Sequence, residues 1–286
     1  MEYMKTYLLI LLLTICFRNA SAQEADFKTE NIRFSSKGIN LSGTIYSPSA
    51  PIGALIVVHG SGQERRMNEF AKTLAKNAFC VLTYDKRGVG ESEGVYAGPE
   101  VGTNNIDSAN LNLLADDVSA AVDVMIKSLN DSTLKIGLIG GSQAGWIIPL
   151  AAYQNQHVDF TVIFSGALVT ALEQLRFQFF TAGKSNFWEK YSEEQVRDHI
   201  KNDPDRFDFV DTDPVKKLDK LSIPGLWIFG GKDIQVPVGL SIENLEKLKK
   251  RNKPYEYILF PELGHNTFFS GNPEPLEKSL SWIEKL

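Results

Sequence analysis

Short apolar runs alternate with longer amphipathic segments along most of the chain. A pair of strands is predicted at 32–34 and 39–46, joined at Lys37-Gly38, a dipeptide typical of a tight hairpin turn. Apolar runs of strand length follow at 54–58, 79–84, 135–139, 160–164, 226–229 and 255–260. Because these runs are continuously apolar rather than alternating, they predict parallel strands that are covered on both faces.

Helix-length amphipathic segments separate the predicted strands. They lie at 67–76, 111–128, 145–154, 242–249 and 276–285. The alternation of strands and helices predicts an α/β fold with a doubly wound, mostly parallel sheet. The interval 166–223 breaks the rhythm, since it has no convincing strand and mixes aromatic with charged residues. A structureless loop of that length is improbable in a compact domain, so we expect a helical lid insertion over the sheet.

The first residues have the pattern of an export signal rather than of a folded element. Lys5 precedes an apolar run at 7–17, and Ala20-Ser21-Ala22 supplies the small residues of a cleavage site. We therefore predict a signal peptide at 1–22, a domain at 23–286, and a secreted or periplasmic protein with no membrane association after cleavage. The alternative is an uncleaved anchor, but the run is shorter than the roughly 20 residues that span a bilayer.

Charge and cysteine content exclude several classes of function. The formal net charge is −5 and both signs are interspersed, so no basic surface for nucleic acid or anionic membrane is expected. Of the two cysteines, Cys16 lies in the predicted signal, which leaves Cys80 in an apolar run as a buried thiol without a disulfide partner. Cysteine and histidine show no metal-ligand spacing, and the sequence implies no cofactor.

A sharp strand-to-helix turn is predicted around Ser142. The apolar run at 135–139 ends at Gly140-Gly141, presents Ser142, and continues into a helical pattern. Such a turn exposes the serine hydroxyl at the edge of a sheet and aims the next backbone N–H at the oxygen under attack. Ser142 is therefore a candidate nucleophile, with an ordinary turn serine as the alternative.

Five motifs in order give the chain a resemblance to the α/β-hydrolases. They are 57–62 (VVHGSG), 84–92 (YDKRGVGES), 140–145 (GGSQAG), 230–237 (GGKDIQVP) and 264–266 (GHN). The resemblance implies an α/β-hydrolase fold with a Ser–Asp–His order of catalytic residues. One departure is visible: the fifth position of the usual Gly-x-Ser-x-Gly turn is Ala144, and the glycine comes one step later, at Gly145.

The chemistry of a serine nucleophile requires two further residues, and the sequence offers one candidate for each. His265 is expected to take the proton of Ser142, and Asp233 to orient the imidazole. Both follow short apolar runs, so both are expected at the carboxyl edge of the sheet, where ligands bind in open α/β folds. The alternative for Asp233 is a helix cap, and Glu262 is the nearest competing acid.

The backbone N–H groups of Gln143 and Ser61 are the predicted oxyanion-hole donors. His59, in the same loop as Ser61, is a candidate substrate contact, and the alternative is that it braces the loop by hydrogen bonds. We expect Asp85 and Arg87 to form a local ion pair that holds the loop after the 79–84 strand.

The insertion supplies the candidate substrate contacts Phe179, Phe180 and Trp188, in a cluster with Phe177 and Phe187. An apolar pocket over Ser142 is the functional interpretation, and packing within the insertion is the alternative.

The sequence thus predicts an exported serine hydrolase that cleaves small-molecule carboxylic esters through an acyl-enzyme. Alternatives are a serine exopeptidase or amidase, a thioesterase, and a catalytically silent hydrolase fold used for binding. An exopeptidase needs an acidic anchor for a free amine, for which Glu173, Glu193 and Glu194 are available in the insertion. Specificity is expected to lie in the insertion, and no oligomeric state is predicted.

Overall fold

The structure is a computed structural model that describes residues 27–204 and 207–286. The predicted signal peptide at 1–22 lies outside the described residues. Eight strands form one sheet in the order β1-β2-β4-β3-β5-β6-β7-β8. From β1 to β8 they cover Phe27–Ser36, Ile39–Pro48, Gly53–Val58, Phe79–Tyr84, Ile136–Gly141, Phe160–Phe164, Gly225–Gly230 and Tyr255–Phe260.

The predicted hairpin and parallel strands are both confirmed. β1 pairs antiparallel with β2 through a turn in which Lys37 and Gly38 have φ of 48° and 80°. β2 is also antiparallel to β4, whereas β4, β3, β5, β6, β7 and β8 run parallel. The carboxyl ends of six strands therefore meet at one edge of the sheet, where loops can bring together residues that are distant in sequence.

Eight α-helices are described, and most of them cover the two faces of the sheet. From α1 to α8 they are Asn68–Lys76, Ser108–Ser128, Ala144–Gln154, Ala171–Thr181, Glu193–Asn202, Val215–Leu218, Val238–Lys249 and Glu274–Ile283. Apolar side chains of α2, α3 and α7 pack on one face. Those of α1 and α8 pack on the other. This arrangement confirms a doubly wound sheet, and no described helix is long and apolar enough to cross a membrane.

The interval 166–223 is helical, as its sequence predicts. It contains α4, a 3₁₀ turn at Phe187–Glu189, α5 and α6, and its described residues form no strand. Reciprocal capping boxes start α4 at Thr170 and α5 at Ser192. A small separate core lies between these elements, formed by Phe177, Phe187, Val196 and Ile200. The insertion thus has its own packing and is joined to the main sheet at its two ends.

Candidate active site

Ser142 occupies a strained turn between β5 and α3. Its φ is +56°, a left-handed conformation that is uncommon for a residue with a side chain. Its N–H donates to the carbonyl oxygen of Phe164, 2.9 Å away at the end of β6, which fixes the turn against the neighbouring strand. Gly140 is required two residues earlier, because a Cβ there would lie 2.4 Å from the carbonyl oxygen of Val58.

The displaced glycine of the turn has a packing role. Ala144 is fully buried, while a Cβ on Gly145 would lie 2.7 Å from the backbone nitrogen of Ala167 and 2.8 Å from Cα of Gly166. The start of α3 therefore touches the chain that leaves β6, and the contact falls at position 145 rather than 144. The departure from the usual motif thus puts the glycine at the position where the close approach occurs.

The structure brings Ser142, His265 and Asp233 together. Nε2 of His265 lies 3.1 Å from Oγ of Ser142, and Nδ1 lies 2.8 Å from Oδ2 of Asp233. Asp233 is fully buried, and its other oxygen accepts from the backbone N–H groups of Gln235 and Val236 at 2.7 and 2.9 Å. With its carboxylate held on both oxygens, Asp233 fixes the orientation of the imidazole.

The loop that carries His265 is tied to the sheet by a buried contact. The hydroxyls of Thr267 and Ser165 are 2.7 Å apart, and the N–H of Thr267 donates to the carbonyl oxygen of His265 at 2.9 Å. Ser165 directly follows β6, next to the strand that leads to Ser142. The histidine is therefore positioned relative to the serine by the sheet itself.

A buried network shapes the loop after β3. The N–H of Gly60 donates to Oε2 of Glu64 at 2.9 Å, so it is turned away from the site. Burial raises the pKa of the Glu64 carboxyl. Within the described residues, neither the N–H of Ser61 nor that of Gln143 has a protein acceptor. Ser61 and Gln143 line the same cavity as Ser142, so both N–H groups stay candidates for the predicted oxyanion hole, while that of Gly60 is occupied.

Lys86, which the sequence analysis did not single out, joins this loop to the residue after the serine. Its buried Nζ donates to the carbonyl oxygen of Gly60 at 2.6 Å, that of Gly62 at 3.4 Å, and Oε1 of Gln143 at 3.2 Å. Nε2 of Gln143 donates to the carbonyl oxygen of Asn105 at 2.7 Å. Burial lowers the pKa of Lys86 to about 8, because the ammonium form loses its hydration there. The three oxygen acceptors replace part of that hydration.

The predicted ion pair between Asp85 and Arg87 is wrong. The chain turns between them, with the N–H of Val89 donating to the carbonyl oxygen of Lys86 at 2.9 Å, and the two side chains part. Asp85 pairs with Arg66 at 3.1 Å. The buried Arg87 makes a two-pronged contact with Asp117 of α2. Both residues still hold the loop, but each through a partner from another element.

Two cavities meet at Ser142. The larger, of about 580 Å³, lies beneath the insertion and is also lined by Ser61, Gln143 and residues of α4. The smaller, of about 180 Å³, is lined by His265 and by apolar side chains that include Phe268 and Phe269. Substrate can thus extend from the serine in two directions, each with its own surroundings.

His59 lines neither cavity at Ser142, so the prediction that it contacts substrate is wrong. The ring is buried and packs edge-on against Tyr84 at 4.7 Å between centroids. Burial, reinforced by the neighbouring charge of Lys86, lowers the pKa of His59 to about 3. A neutral, enclosed imidazole braces the loop and is out of reach of a ligand at Ser142.

Of the three aromatic candidates in the insertion, the structure places Phe179 alone on a cavity that contains Ser142. Phe180 instead packs on His199, Phe187 and Tyr191, with its ring 3.9 Å from that of His199. Trp188 donates its indole N–H to the carbonyl oxygen of Asp233 at 2.7 Å, and so holds the loop of the acid. Helical geometry explains the difference, because adjacent residues of α4 point to different sides.

Sequence analysis also missed polar residues of the larger cavity. Asn105, Gln174, Gln178 and Gln235 line it, and they come from the 3₁₀ turn Pro99–Asn105, from α4 and from the loop after Asp233. Nothing in the local pattern marks them, since isolated amides are common at any surface. Within 27–204 and 207–286, no group of three or more His, Cys, Asp or Glu side chains is arranged to hold a metal ion.

Comparisons with known proteins identify the family and the fold. A family model described as "Serine aminopeptidase, S33" (Hydrolase_4) matches residues 49–217. Acylamino-acid-releasing enzyme 1 of Oryza sativa subsp. japonica is 25% identical over 239 residues, which are 77% of this chain and 28% of that protein. The chain therefore spans less than a third of the length of this relative.

Solved structures share the fold over nearly the whole chain. The esterase Pf2001 of Pyrococcus furiosus superposes with a TM-score of 0.66 at 18% identity, covering 93% of this chain and 94% of that one. The acylaminoacyl peptidase of Pyrococcus horikoshii gives 0.64 at 15% identity, covering 95% of this chain and 42% of that one. The family match, the sheet order and the serine turn lead to one conclusion: this chain belongs to the serine aminopeptidase S33 (Hydrolase_4) family of α/β-hydrolases.

Proposed function

We propose that the protein hydrolyses carboxylic esters through an acyl-enzyme formed on Ser142. The observation that carries the proposal is the continuous line of hydrogen-bonding atoms from Oγ of Ser142 through His265 to Asp233, at 3.1 and 2.8 Å. A serine hydroxyl is a weak nucleophile until an adjacent base accepts its proton. In this site the base is in place and is oriented by a buried carboxylate.

The reaction proceeds in two balanced halves. Oγ of Ser142 bonds to the ester carbonyl carbon while its proton passes to Nε2 of His265, and the carbonyl oxygen becomes an oxyanion held by the N–H groups of Ser61 and Gln143. The bond from carbon to the alcohol oxygen then breaks, and His265 returns the proton to that oxygen. Water, deprotonated by His265, repeats the attack, and the acid leaves as Ser142 recovers its proton.

The uncharged wall of the larger cavity supports an ester substrate over one with a free amine. None of the described residues that line it is an acid or a base. Glu173 caps its own helix by accepting from the N–H of Thr170 at 2.9 Å, and Glu193 lies near Arg197. None of Glu173, Glu193 and Glu194 lines either cavity at Ser142, so an aminopeptidase anchor is not supported by these three.

Covalent labelling tests the nucleophile. The purified protein is treated with a fluorophosphonate probe and assayed with short-chain nitrophenyl esters, with Ser142→Ala as the variant and Ser61→Ala as the control, since Ser61 contributes a backbone donor. We expect labelling and turnover in the wild type and in Ser61→Ala, and neither in Ser142→Ala. Labelling that persists without Ser142, or folded wild type that neither labels nor hydrolyses any ester, contradicts the proposal.

Hydrolysis of acylated amino-acid amides is the second candidate. The same uncharged cavity suits an amino acid whose amine is already blocked. The relatives named acylamino-acid-releasing enzyme and acylaminoacyl peptidase are consistent with that reading. Paired substrates with the same N-acetylated acyl group, one an ethyl ester and one an anilide, separate the two. An anilide turned over faster than the ester would replace the first candidate with the second.

We also propose that the protein is exported. The support is the order of features in residues 1–22: a basic residue, then an apolar run, then small residues at the predicted cleavage site. Cell fractionation followed by N-terminal sequencing checks it: the expected product is extracytoplasmic and begins at Gln23. Intact Met1 on the cytoplasmic protein would be the contrary result.

A further inference from the structure

The two cavities at Ser142 differ in size and in chemical character. The larger, about 580 Å³, has a wall that includes five side-chain amides and, among the described residues, no charged group. The smaller, about 180 Å³, is lined mainly by apolar side chains such as Met67, Phe164 and Phe268. The acyl group and the alcohol of an ester bound at Ser142 therefore lie in chemically different cavities.

The position of His265 decides which half goes where. Three substituents surround the ester carbonyl carbon: the carbonyl oxygen, the alcohol oxygen and the acyl chain. The carbonyl oxygen lies between the N–H groups of Ser61 and Gln143, both of which line the larger cavity. The alcohol oxygen must receive its proton from His265, which lines the smaller one. The alcohol therefore occupies the smaller cavity and the acyl chain the larger.

The size and lining of the smaller cavity restrict the alcohol. The smaller cavity has about 180 Å³ against about 580 Å³ for the larger, so it takes the smaller half of the substrate. Phe268 packs on Phe70 and Phe164 with ring centroids 4.2 and 4.7 Å away, so this wall is built into the core. The lining also includes the Glu64 carboxylate, which disfavours an anionic leaving group. These features fit a short, apolar alcohol and exclude a bulky anionic thiol carrier from this cavity.

The amides of the larger cavity define the acyl group. The side chains of Gln178 and Gln235 are exposed, and no described residue gives either side-chain amide a hydrogen bond. Each offers a donor and an acceptor to a ligand. Phe179 and Leu175 add apolar surface beside them. An ionised group on the acyl chain would meet no opposite charge among the described lining residues, whereas a neutral amide or hydroxyl would find both donors and acceptors.

We propose that the Ser142 site is specific for esters that join a bulky, neutral, hydrogen-bonding acid to a short apolar alcohol, with Gln178 and Gln235 as specificity-determining residues. This inference rests on the proposed esterase activity and extends it to a substrate class. It assigns the acyl half to the cavity under the insertion and the alcohol half to the cavity beside His265.

Two esters that carry the same bulky group on opposite sides of the ester bond test the assignment of the two cavities. N-acetyl-phenylalanine ethyl ester places the bulk and the amide in the acid, and the acetate ester of N-acetyl-phenylalaninol places the same groups in the alcohol. We expect kcat/KM to be at least 10-fold higher for the first ester. Removal of its acetyl group, which leaves an ammonium, should lower kcat/KM by a similar factor. Equal kcat/KM for these two esters, or a higher kcat/KM for the acetate, would overturn the assignment.

Variants locate the specificity. Ethyl 3-phenylpropanoate lacks the acetamido group, so the ratio of the two ethyl esters measures recognition of the amide. Gln178→Leu and Gln235→Leu should each lower this ratio at least 3-fold, and Gln154→Leu, on an exposed position of α3, should leave it unchanged. Phe269→Ala, at a half-exposed position of the small cavity, should raise activity on hexyl relative to ethyl esters. Ratios unchanged in both glutamine variants would remove their assigned role.

The outcome remains distinct from failure of the esterase proposal. Active-site titration with the fluorophosphonate probe and turnover of nitrophenyl acetate are measured on the same preparation. A labelled, active enzyme with the reverse preference refutes the substrate class alone. A folded preparation that neither labels nor hydrolyses nitrophenyl acetate refutes both proposals.

Discussion

The two walls that enclose Ser142 are built in opposite ways. The wall formed by the loops of the sheet is held by buried, fully paired groups: Lys86 donates to three acceptors, and Asp233 accepts on both carboxylate oxygens. The wall formed by the insertion presents exposed side chains to the cavity, of which Phe179 has 64% of its surface accessible.

This difference separates the geometry of the reaction from the choice of substrate. Groups that stabilise developing charge act best when they are already in place, because reorganisation during the reaction is then avoided. Groups that recognise an acyl chain only need to offer complementary surface. The insertion has its own small core of Phe177, Phe187, Val196 and Ile200. It contacts the loop of Asp233 through Gln174 and Trp188, which donate to the backbone oxygens of Gln235 and Asp233.

The largest effect is expected in the wall formed by the sheet, from Asp233→Asn. An asparagine cannot stabilise the imidazolium of His265, and a change of this kind in a Ser–His–Asp triad lowers kcat by about 10⁴-fold. Steady-state kinetics on a nitrophenyl ester, with circular dichroism to confirm folding, measures it. Glu262→Gln is the matched control, since Glu262 is exposed and its bridge to Lys232 lies at the surface. A similar loss in both variants would mean that Asp233 is not the acid.

The three candidate catalytic residues could be predicted from the sequence because each lies in a loop that follows a strand. Ser142 comes directly after β5, Asp233 three residues after β7 and His265 five residues after β8, and parallel strands bring their carboxyl ends to one edge. The turn at Ser142 is likewise marked by its glycines. Lys86 gives no such signal, because its acceptor on Gln143 is 57 residues away and its burial depends on how two loops pack. Contacts between loops that are distant in sequence therefore could not be predicted from the local pattern of residues.

A smaller effect is expected from Lys86→Met, which removes two hydrogen bonds to the loop of Ser61 and one to the side chain of Gln143 while keeping a similar side-chain length. Loss of one oxyanion donor costs about 10²–10³-fold in kcat, and displacement of such a donor should cost less, about 10- to 100-fold, with KM little changed. Lys72→Met, at an exposed position of α1, is the control. A kcat within twofold of wild type would show that the loop keeps its shape without the lysine.

The pH profile separates positioning from a general structural role of Lys86. Its pKa is about 8, so the ammonium and its donors are present below that pH and are lost as pH rises through it. Wild-type kcat should therefore fall above about pH 8, and Lys86→Met should lack this limb. The charged groups that act on Lys86 are Glu64 and Glu100, both carboxyls, and burial raises the pKa of the nearby Tyr96 above its usual 10. An alkaline limb retained in Lys86→Met would assign it to another group.

The insertion was predicted as helical but not in its details. The lack of a strand pattern and the length of the interval suffice to predict helices, whereas the side of each helix that faces the cavity depends on how α4 docks on the sheet. Phe179 and Phe180 illustrate the limit, since two adjacent phenylalanines of α4 lie in different surroundings. Trp188 illustrates a second limit, because its hydrogen bond joins it to the backbone of Asp233, which is 45 residues away in the sequence.

The same two phenylalanines provide the mildest test of the difference between the walls. Phe179→Ala removes aromatic surface from the larger cavity, where a contact of this kind contributes roughly 0.5–1.5 kcal/mol, so KM for an ester with an aromatic acyl group should rise about 3- to 10-fold at nearly constant kcat. Phe180→Ala instead weakens packing on Tyr191 and His199, and should lower the free energy of unfolding by about 1–3 kcal/mol without changing KM. Steady-state kinetics and urea denaturation of both variants measure the two effects. If Phe180→Ala raises KM as much as Phe179→Ala does, substrate recognition depends on the packing of the whole insertion, and the two walls are not independent.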